Sequence, residues 1–281
     1  MEKIINRFKP NRNTKVGVCI IDLQSGKEFN FNDNMLLYPA SAFKLFIGAV
    51  ICKKVDSGEI SKNMNIVVRR ESELEKSEKL YPICQDSSNN MRDMMTIYAL
   101  LGHMIAFSDN LATNNLLRFA APESINDYLK ENNFSARLSK DFIEGKTILY
   151  RDKIRVTAKD LALFMKEYGV GLHNAMFDFS RKAAGIGHDF NKDHHRKENW
   201  MANTIAEKCG FMTSNGGSIK AFIKQAGFVK NQCEAAIVDY DDKKYAIGIV
   251  SEYRTYCKNK YFHFNPMATE LLRYIQISKG Y

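Results

Sequence analysis

One short motif combines residue types that can carry out nucleophilic catalysis. Ser41 and Lys44 are three residues apart, so on a helix both side chains point to the same side. A lysine among apolar neighbours can lose its proton and accept one from a serine hydroxyl. The free N–H groups at a helix N-terminus also suit a developing oxyanion. The alternative interpretation is a helix-capping serine beside a surface lysine.

Two further motifs can supply polar groups to the same chemistry. Ser108–Asn110 (Ser-Asp-Asn) joins two apolar segments and can direct a hydroxyl and an amide into a cleft. All three residue types are also ordinary helix N-caps, which is the alternative. Lys208–Gly210 (Lys-Cys-Gly) interrupts an apolar strand-like segment and indicates an edge against which another group packs closely. Its alternative is an exposed edge-strand lysine that discourages aggregation.

The elements that must position these motifs follow from hydrophobic periodicity and from capping and turn residues. The predicted helices are Ala42–Val55, Met95–Phe107, Leu111–Phe119, Pro122–Asn132, Thr157–Tyr168 and Pro266–Ile277. The predicted strands are Lys15–Leu23, Lys27–Asn32, Ser218–Val229, Glu234–Tyr240 and Lys243–Glu252. Strands therefore lie toward both ends of the chain, with helices between them.

This order predicts an α/β (α+β) fold with an inserted domain. We expect an antiparallel sheet flanked by helices and built from both termini, comprising residues 1–61 and 196–281. Residues 62–195 are expected to form an all-helical domain. The active site is expected between the two domains.

Composition and charge exclude several classes of protein. The chain has 281 residues, of which 45 % are hydrophobic and 26 % are charged, which is ordinary for a globular protein. The apolar run Leu45–Cys52 is much shorter than a membrane span, so none is expected. The net charge is +9, but the basic residues are scattered and no nucleic-acid-binding motif accompanies them. Nucleic acid is therefore not an expected partner.

Neither a metal nor a cofactor is expected. The six cysteines include no C-x-x-C pair, and there is no glycine-rich phosphate loop. The histidine-rich segment His188–His195 matches no helical zinc spacing. Met1–Lys15 has no apolar core, so no signal peptide is predicted, and both the cytoplasm and secretion after signal removal stay open.

The order of the three motifs resembles that of the penicillin-recognising serine hydrolases. The first residues of successive motifs are 67 and 100 residues apart, which is similar to class A β-lactamases. The segments around Ser41, before Ser108 and over Val16–Lys27 also resemble that family, so the likeness extends over nearly the whole chain.

The resemblance implies a mechanism through an acyl-enzyme. Ser41 would attack the carbonyl of a β-lactam or of an acyl-D-Ala-D-Ala-like compound, and Lys44 would accept or help transfer its proton. Ser108 would relay the proton to the leaving nitrogen. The backbone N–H groups of Ser41 and Phe211 would form the oxyanion hole.

The same resemblance implies a binding site for an anionic small molecule. Asn110 would bind the amide of the substrate side chain. Lys208, Cys209 and Gly210 would bind its carboxylate, with Lys208 supplying positive charge. The chain is expected to act as a monomer.

Two positions depart from the family pattern. Cys209 stands where the family has Thr or Ser, and a thiol is the weaker hydrogen-bond donor. The family's water-activating Glu has no clear counterpart: counting from Arg137 gives Phe142, counting back from Thr157 gives Asp141, and the nearest Glu is Glu144. A solvated loop is the favoured interpretation of both carboxylates.

Three hypotheses about function follow from these departures. The first is a serine hydrolase of the class A β-lactamase type, acting through Ser41. The second is a D,D-peptidase, penicillin-binding protein or esterase with poor deacylation. The third is a non-catalytic binding module on the same fold.

Overall fold

The structure is a computed structural model that describes residues 1–9, 12–68, 94–106, 109–138, 154–168, 220–228, 231–240, 242–253 and 264–278. In these residues the helices are α1 (Glu2–Phe8), α2 (Lys44–Asp56), α3 (Ile97–Ala106), α4 (Asn110–Leu117), α5 (Pro122–Glu131), α6 (158–168) and α7 (Phe264–Ile277). The strands are β1 (Lys15–Asp22), β2 (Glu28–Phe31), β3 (Asn65–Val67), β4 (Met94–Thr96), β5 (Arg137–Leu138), β6 (Ile154–Arg155), β7 (Lys220–Phe228), β8 (Asn231–Tyr240) and β9 (Lys243–Glu252).

The chain forms two compact units. Residues 1–42 and 156–281 make up the first, which we call the sheet unit, and residues 43–155 make up the second, which we call the inserted unit. The sheet unit contains a five-stranded antiparallel sheet with the strand order β2-β1-β9-β8-β7. Because β1 pairs with β9 along its whole length, from Lys15 opposite Glu252 to Asp22 opposite Tyr245, both ends of the chain build one sheet. The predicted fold class is confirmed.

The turn between β1 and β2 is organised by the side chain of Asp22. Its Oδ1 atom accepts hydrogen bonds from the backbone N–H groups of Gln24 at 3.0 Å and Ser25 at 3.1 Å. Gly26 follows with a φ of +70°, which residues with a Cβ rarely adopt. The turn therefore falls between the two predicted strands Lys15–Leu23 and Lys27–Asn32.

The two faces of the sheet are covered differently. Side chains of one face form a core with α1 and α7, which includes Ile5, Val18, Ile249 and Leu271. On the other face α6 approaches the sheet backbone at Gly248. A Cβ at that position would lie 2.8 Å from the backbone nitrogen of Ala162 and closer still to the carbonyl oxygen of Ala158. Glycine at position 248 therefore permits a contact between α6 and the sheet that a larger residue would prevent.

The inserted unit packs its helices around α2, which is buried along most of its length. Phe46 of α2 meets Phe134 edge to face, with ring centroids 5.2 Å apart. A Cβ on Gly48 would lie 3.4 Å from Ile105 and 3.6 Å from Met104, which is ordinary contact distance and shows how closely α2 and α3 pack. This packing determines where the first residue of α2 lies relative to the helices around it.

Each predicted helix and strand has a counterpart, with ends shifted by at most three residues. No prediction covers α1, which lies in a charged segment, or the two short antiparallel pairs of the inserted unit, β3–β4 and β5–β6. Strands of two or three residues are too short for an alternating pattern to be recognised. The proposed boundaries, 1–61 with 196–281 and 62–195, stay a prediction.

Among the helices of the described residues, none has the length and apolar composition needed to cross a bilayer. Cys19 is buried in β1, as its apolar context predicts, and burial raises its pKa to about 12. The apolar run Leu45–Cys52 also predicts a core position for Cys52, but that prediction is wrong, since Cys52 is exposed. An apolar run in a helix presents some of its residues to the side that faces away from the core.

Candidate active site

Ser41 lies in a 3-10 turn, Ala40–Phe43, that leads directly into α2. The turn is supported by a hydrogen bond from the N–H of Ala42 to the carbonyl of Pro39 at 3.1 Å. The side chain of Ser41 is half-buried. The nucleophile candidate is therefore held by backbone structure at the start of a buried helix.

The residue before Ser41 has an unusual backbone conformation. Ala40 has a φ of +47°, in the left-handed region that residues with a Cβ adopt at a cost of about 1 kcal/mol or more. Such strain persists only where surrounding structure imposes it, and it occurs often at functional sites. An alanine gives no sequence signal for this conformation, since glycine and asparagine are the residues that usually indicate it.

Lys44 is the first residue of α2, and its side chain is fully buried, with 0 % of its surface exposed. Its sequence neighbours Phe43 and Leu45 are also buried. This removes the alternative that Lys44 is a surface residue. A buried ammonium is costly unless another group compensates it.

Asn110 is the residue that meets Lys44. The Nζ atom of Lys44 donates a hydrogen bond to the Oδ1 atom of Asn110 at 2.6 Å. Asn110 is the first residue of α4, 66 positions further along the chain. The structure thus brings together Lys44, the last residue of the first motif, and Asn110, the last residue of the second motif.

Asp109 is the N-cap of α4. Its Oδ1 atom accepts a hydrogen bond from the N–H of Ala112 at 3.0 Å, and its carbonyl accepts from the hydroxyl of Thr113 at 2.6 Å. The capping alternative for the Ser-Asp-Asn motif therefore holds for Asp109, while Asn110 contacts Lys44. The binding of a substrate amide by Asn110 stays a prediction.

His103 lies in the last turn of α3 and approaches Asp109. The Nδ1 atom of the imidazole is 3.9 Å from Oδ2 of Asp109, and the two side chains are only 11 % and 8 % exposed. The N–H of Asp109 also donates to the carbonyl of His103 at 3.2 Å. No sequence signal indicates a role for His103, because a single histidine in an apolar helix belongs to no recognisable motif.

Several predicted site residues lie outside the described residues, so their roles stay predictions. They are Ser108, Asp141, Glu144, Lys208, Cys209, Gly210 and Phe211. Among the residues that the structure does describe, no cluster of three or more His, Cys, Asp or Glu side chains offers a metal site.

Comparison with protein families and curated proteins gives consistent results. The family model described as "Beta-lactamase enzyme family" matches residues 1–173. Beta-lactamases PSE-4 and PSE-1 of Pseudomonas aeruginosa are each 22 % identical over 209 residues, which is 72 % of this chain and 64 % of theirs. The chain thus spans somewhat less than two thirds of the length of these curated relatives.

Solved structures share the fold over nearly the whole chain. A mutant of PBP-A, as an acyl-enzyme complex with penicillin G, superimposes with a TM-score of 0.69 at 15 % identity, covering 98 % of this chain and 95 % of PBP-A. A beta-lactamase from Sphaerobacter thermophilus superimposes with a TM-score of 0.65 at 17 % identity, covering 96 % of this chain and 95 % of its own. At these identities the likeness concerns the fold.

Proposed function

The chain belongs to the beta-lactamase enzyme family, and from that premise we propose that it is a serine hydrolase that forms an acyl-enzyme on Ser41. Lys44 is the proton acceptor, and Asn110 holds it in place. The substrate is a small molecule with a reactive amide carbonyl and a carboxylate, of the β-lactam or acyl-D-Ala-D-Ala-like class.

The observation that carries this proposal is the part-buried hydrogen bond between Lys44 and Asn110, 2.6 Å long. A lysine at the first position of a helix lies at the positive end of the helix dipole, where a cation is disfavoured. Its complete burial disfavours the cation as well. Both effects act toward a neutral amine, which is the form that can take a proton from a serine hydroxyl.

The proposed reaction has two steps. In the first, Oγ of Ser41 bonds to the carbonyl carbon, its proton passes to Nζ of Lys44, and the C–N bond breaks as the nitrogen receives a proton through Ser108. The N–H groups of Ser41 and Phe211 stabilise the oxyanion, and Lys208 with Cys209 and Gly210 binds the carboxylate. In the second step, water hydrolyses the ester.

The second step is where the D,D-peptidase or penicillin-binding alternative enters. Because β5 pairs with β6, residues 137–138 lie beside residues 154–155, and the two ends of the segment between them are close together. The carboxylates of that segment are Asp141, Glu144 and Asp152, and the two counts put Phe142 or Asp141 at the family's water-activating position. If none of these carboxylates activates water, the acyl-enzyme would persist.

Intact-protein mass spectrometry with benzylpenicillin tests the proposal. We expect an adduct of the mass of penicillin on the wild type, located at Ser41 by peptide mapping and lost in Ser41→Ala. Ser57→Ala is the matched control, because Ser57 is an exposed serine whose hydroxyl bonds to the carbonyl of Lys54, and it should keep the adduct.

Turnover of a chromogenic cephalosporin separates the two candidate activities. Turnover with a short-lived adduct supports the β-lactamase, and a stable adduct without turnover supports the penicillin-binding alternative. If neither an adduct nor turnover is observed, both candidate activities are overturned and the non-catalytic binding module is favoured.

A further inference from the structure

Contacts between His103 and Asp109 join the last turn of α3 to the start of α4. We propose that His103 is a positioning residue for the reaction at Ser41: by holding Asp109, it orients the Asn110 amide that binds Lys44. This inference rests on the proposed function, since the effect on Lys44 matters only if Lys44 takes part in acylation.

Two contacts join His103 to Asp109. The backbone N–H of Asp109 donates to the carbonyl of His103 at 3.2 Å, which joins the start of α4 to the last turn of α3. The imidazole Nδ1 is 3.9 Å from Oδ2 of Asp109, within the range of an ion pair when the imidazole is protonated. Both side chains are largely buried, so water screens this contact weakly.

The other polar groups of Asp109 bind the first turn of α4. Oδ1 accepts from the N–H of Ala112, and the carbonyl accepts from both the N–H of Thr113 at 3.2 Å and its hydroxyl at 2.6 Å. Asp109 therefore connects the end of α3 to the start of α4. Asn110 is the next residue, so a movement of Asp109 displaces the oxygen that holds Lys44.

The charge of His103 decides how firmly Asp109 is held. An imidazolium attracts the carboxylate, whereas a neutral imidazole does so much more weakly. Among the described residues, the charged groups near this turn include Asp109 at the start of α4 and Lys44 of α2, which contacts Asn110. We therefore expect acylation to carry an additional pH dependence that comes from protonation of His103.

Two conservative variants separate this role from a general loss of structure. His103→Gln removes the titrating group but keeps a hydrogen-bonding side chain of similar reach. Asp109→Asn removes the charge, and asparagine remains a good N-cap, so the bond to Ala112 is retained. Thr157→Ala is the matched control, because it removes a cap from α6 in the sheet unit at a similar cost in stability.

The experiment measures the second-order rate constant for acylation of Ser41 by a fluorescent penicillin between pH 5.5 and 8.5, together with the Tm at each pH. We expect an inflection in the wild-type profile that both variants lose. Near pH 6 each variant should acylate about tenfold more slowly than the wild type. The double variant should be no slower than either single variant, because both remove the same contact.

Three outcomes would overturn the inference. One is a His103→Gln profile that matches the wild type in rate and shape. Another is a loss of rate in His103→Gln that is equal at every pH and that adds to the loss from Asp109→Asn. Such a loss would indicate that His103 has only a structural role. If the wild type is not acylated at any pH, the proposed function fails and the positioning role fails with it. The first two outcomes leave the proposed function standing, because they presuppose an acylated Ser41.

Discussion

The helices α4 and α6 each follow a residue whose side chain caps the helix, Asp109 for α4 and Thr157 for α6, and the surroundings of the two caps differ. At α6 the cap closes on itself: the hydroxyl of Thr157 accepts from the N–H of Asp160 at 2.9 Å, and the carboxylate of Asp160 accepts from the N–H of Thr157 at 3.0 Å. At α4 one oxygen of Asp109 bonds to Ala112, while the other lies 3.9 Å from His103.

The difference shows what separates a purely structural helix start from one that can support chemistry. The α6 cap bonds to the backbone of its own helix, which stabilises the helix. The α4 cap is bound by a titratable side chain of another helix, and the residue after it binds a buried lysine. The local sequence signal is similar in both, so the distinction depends on neighbours from distant parts of the chain.

The largest expected effect is that of Lys44→Met. Removing the proton acceptor should lower the acylation rate of Ser41 about 10³-fold. The folded protein should lose little stability, because an apolar side chain of similar length fills the buried space of Lys44. Stopped-flow acylation and thermal unfolding measure the two effects. Lys54→Met is the control, since Lys54 pairs with Glu59 near the surface. An acylation rate in Lys44→Met as high as that of the wild type would contradict the prediction.

The contact of α6 with the sheet should be the most sensitive structural site. Gly248→Ala should lower the free energy of unfolding by about 3 kcal/mol, because the added methyl group collides with the backbone of α6 at Ala158 and Ala162. Denaturant unfolding measures this. Gly26→Ala is the comparison: it has open space around it but a φ of +70°, so it should cost only about 1 kcal/mol. Equal losses at the two positions would show that the close approach of α6 is unimportant.

Removing each cap tests the comparison directly. Thr157→Ala and Asp109→Ala should each cost about 1 kcal/mol of stability, as is usual for an N-cap. Only Asp109→Ala should also slow acylation, by about tenfold, because it releases Asn110. Unfolding and acylation measured on the same preparations provide the check. If both variants slow acylation to the same extent, the two helix starts do not differ as described.

The smallest expected effect concerns an exposed ion pair at the start of α6. The pKa of Glu28 lies below its ordinary value of 4.5, first because Asn30 donates a hydrogen bond to it and then because Lys159 does. A carboxyl whose pKa is lowered by folding stabilises the protein above pH 4.5, and this stabilisation is lost as the pH falls through the folded-state value.

Replacing this carboxylate should therefore change only the acid side of the stability profile. Glu28→Gln should lower the Tm by about 1–2 °C at pH 7 and reduce the further loss below pH 4.5, a small effect because both side chains are about one third exposed. Calorimetry at pH 7 and pH 3.5 measures both. A Tm difference between wild type and variant that is the same at both pH values would exclude the ion pair as its cause.

Much of the fold could be predicted because its signals are local. The apolar runs in β8 and β9, the apolar residues of α2 and the cap residues of α4 and α6 each indicate an element through residues close in sequence. The residues Ser41 and Lys44 were selected by the same kind of local spacing. By contrast, the left-handed Ala40 and the histidine at the end of α3 were missed, since neither residue type indicates its conformation or its neighbours.

The amino-acid sequence by itself determined where the longer helices and strands lie, to within three residues at their ends, that both termini contribute strands, and which short motifs bear reactive groups. Only the tertiary structure decided that Lys44 is fully buried, that Asn110 is the residue that meets it and that His103 faces Asp109. The physical reason is that capping and periodicity act within one or two turns of chain. A contact between residues 66 positions apart depends instead on how helices pack, which no local pattern specifies.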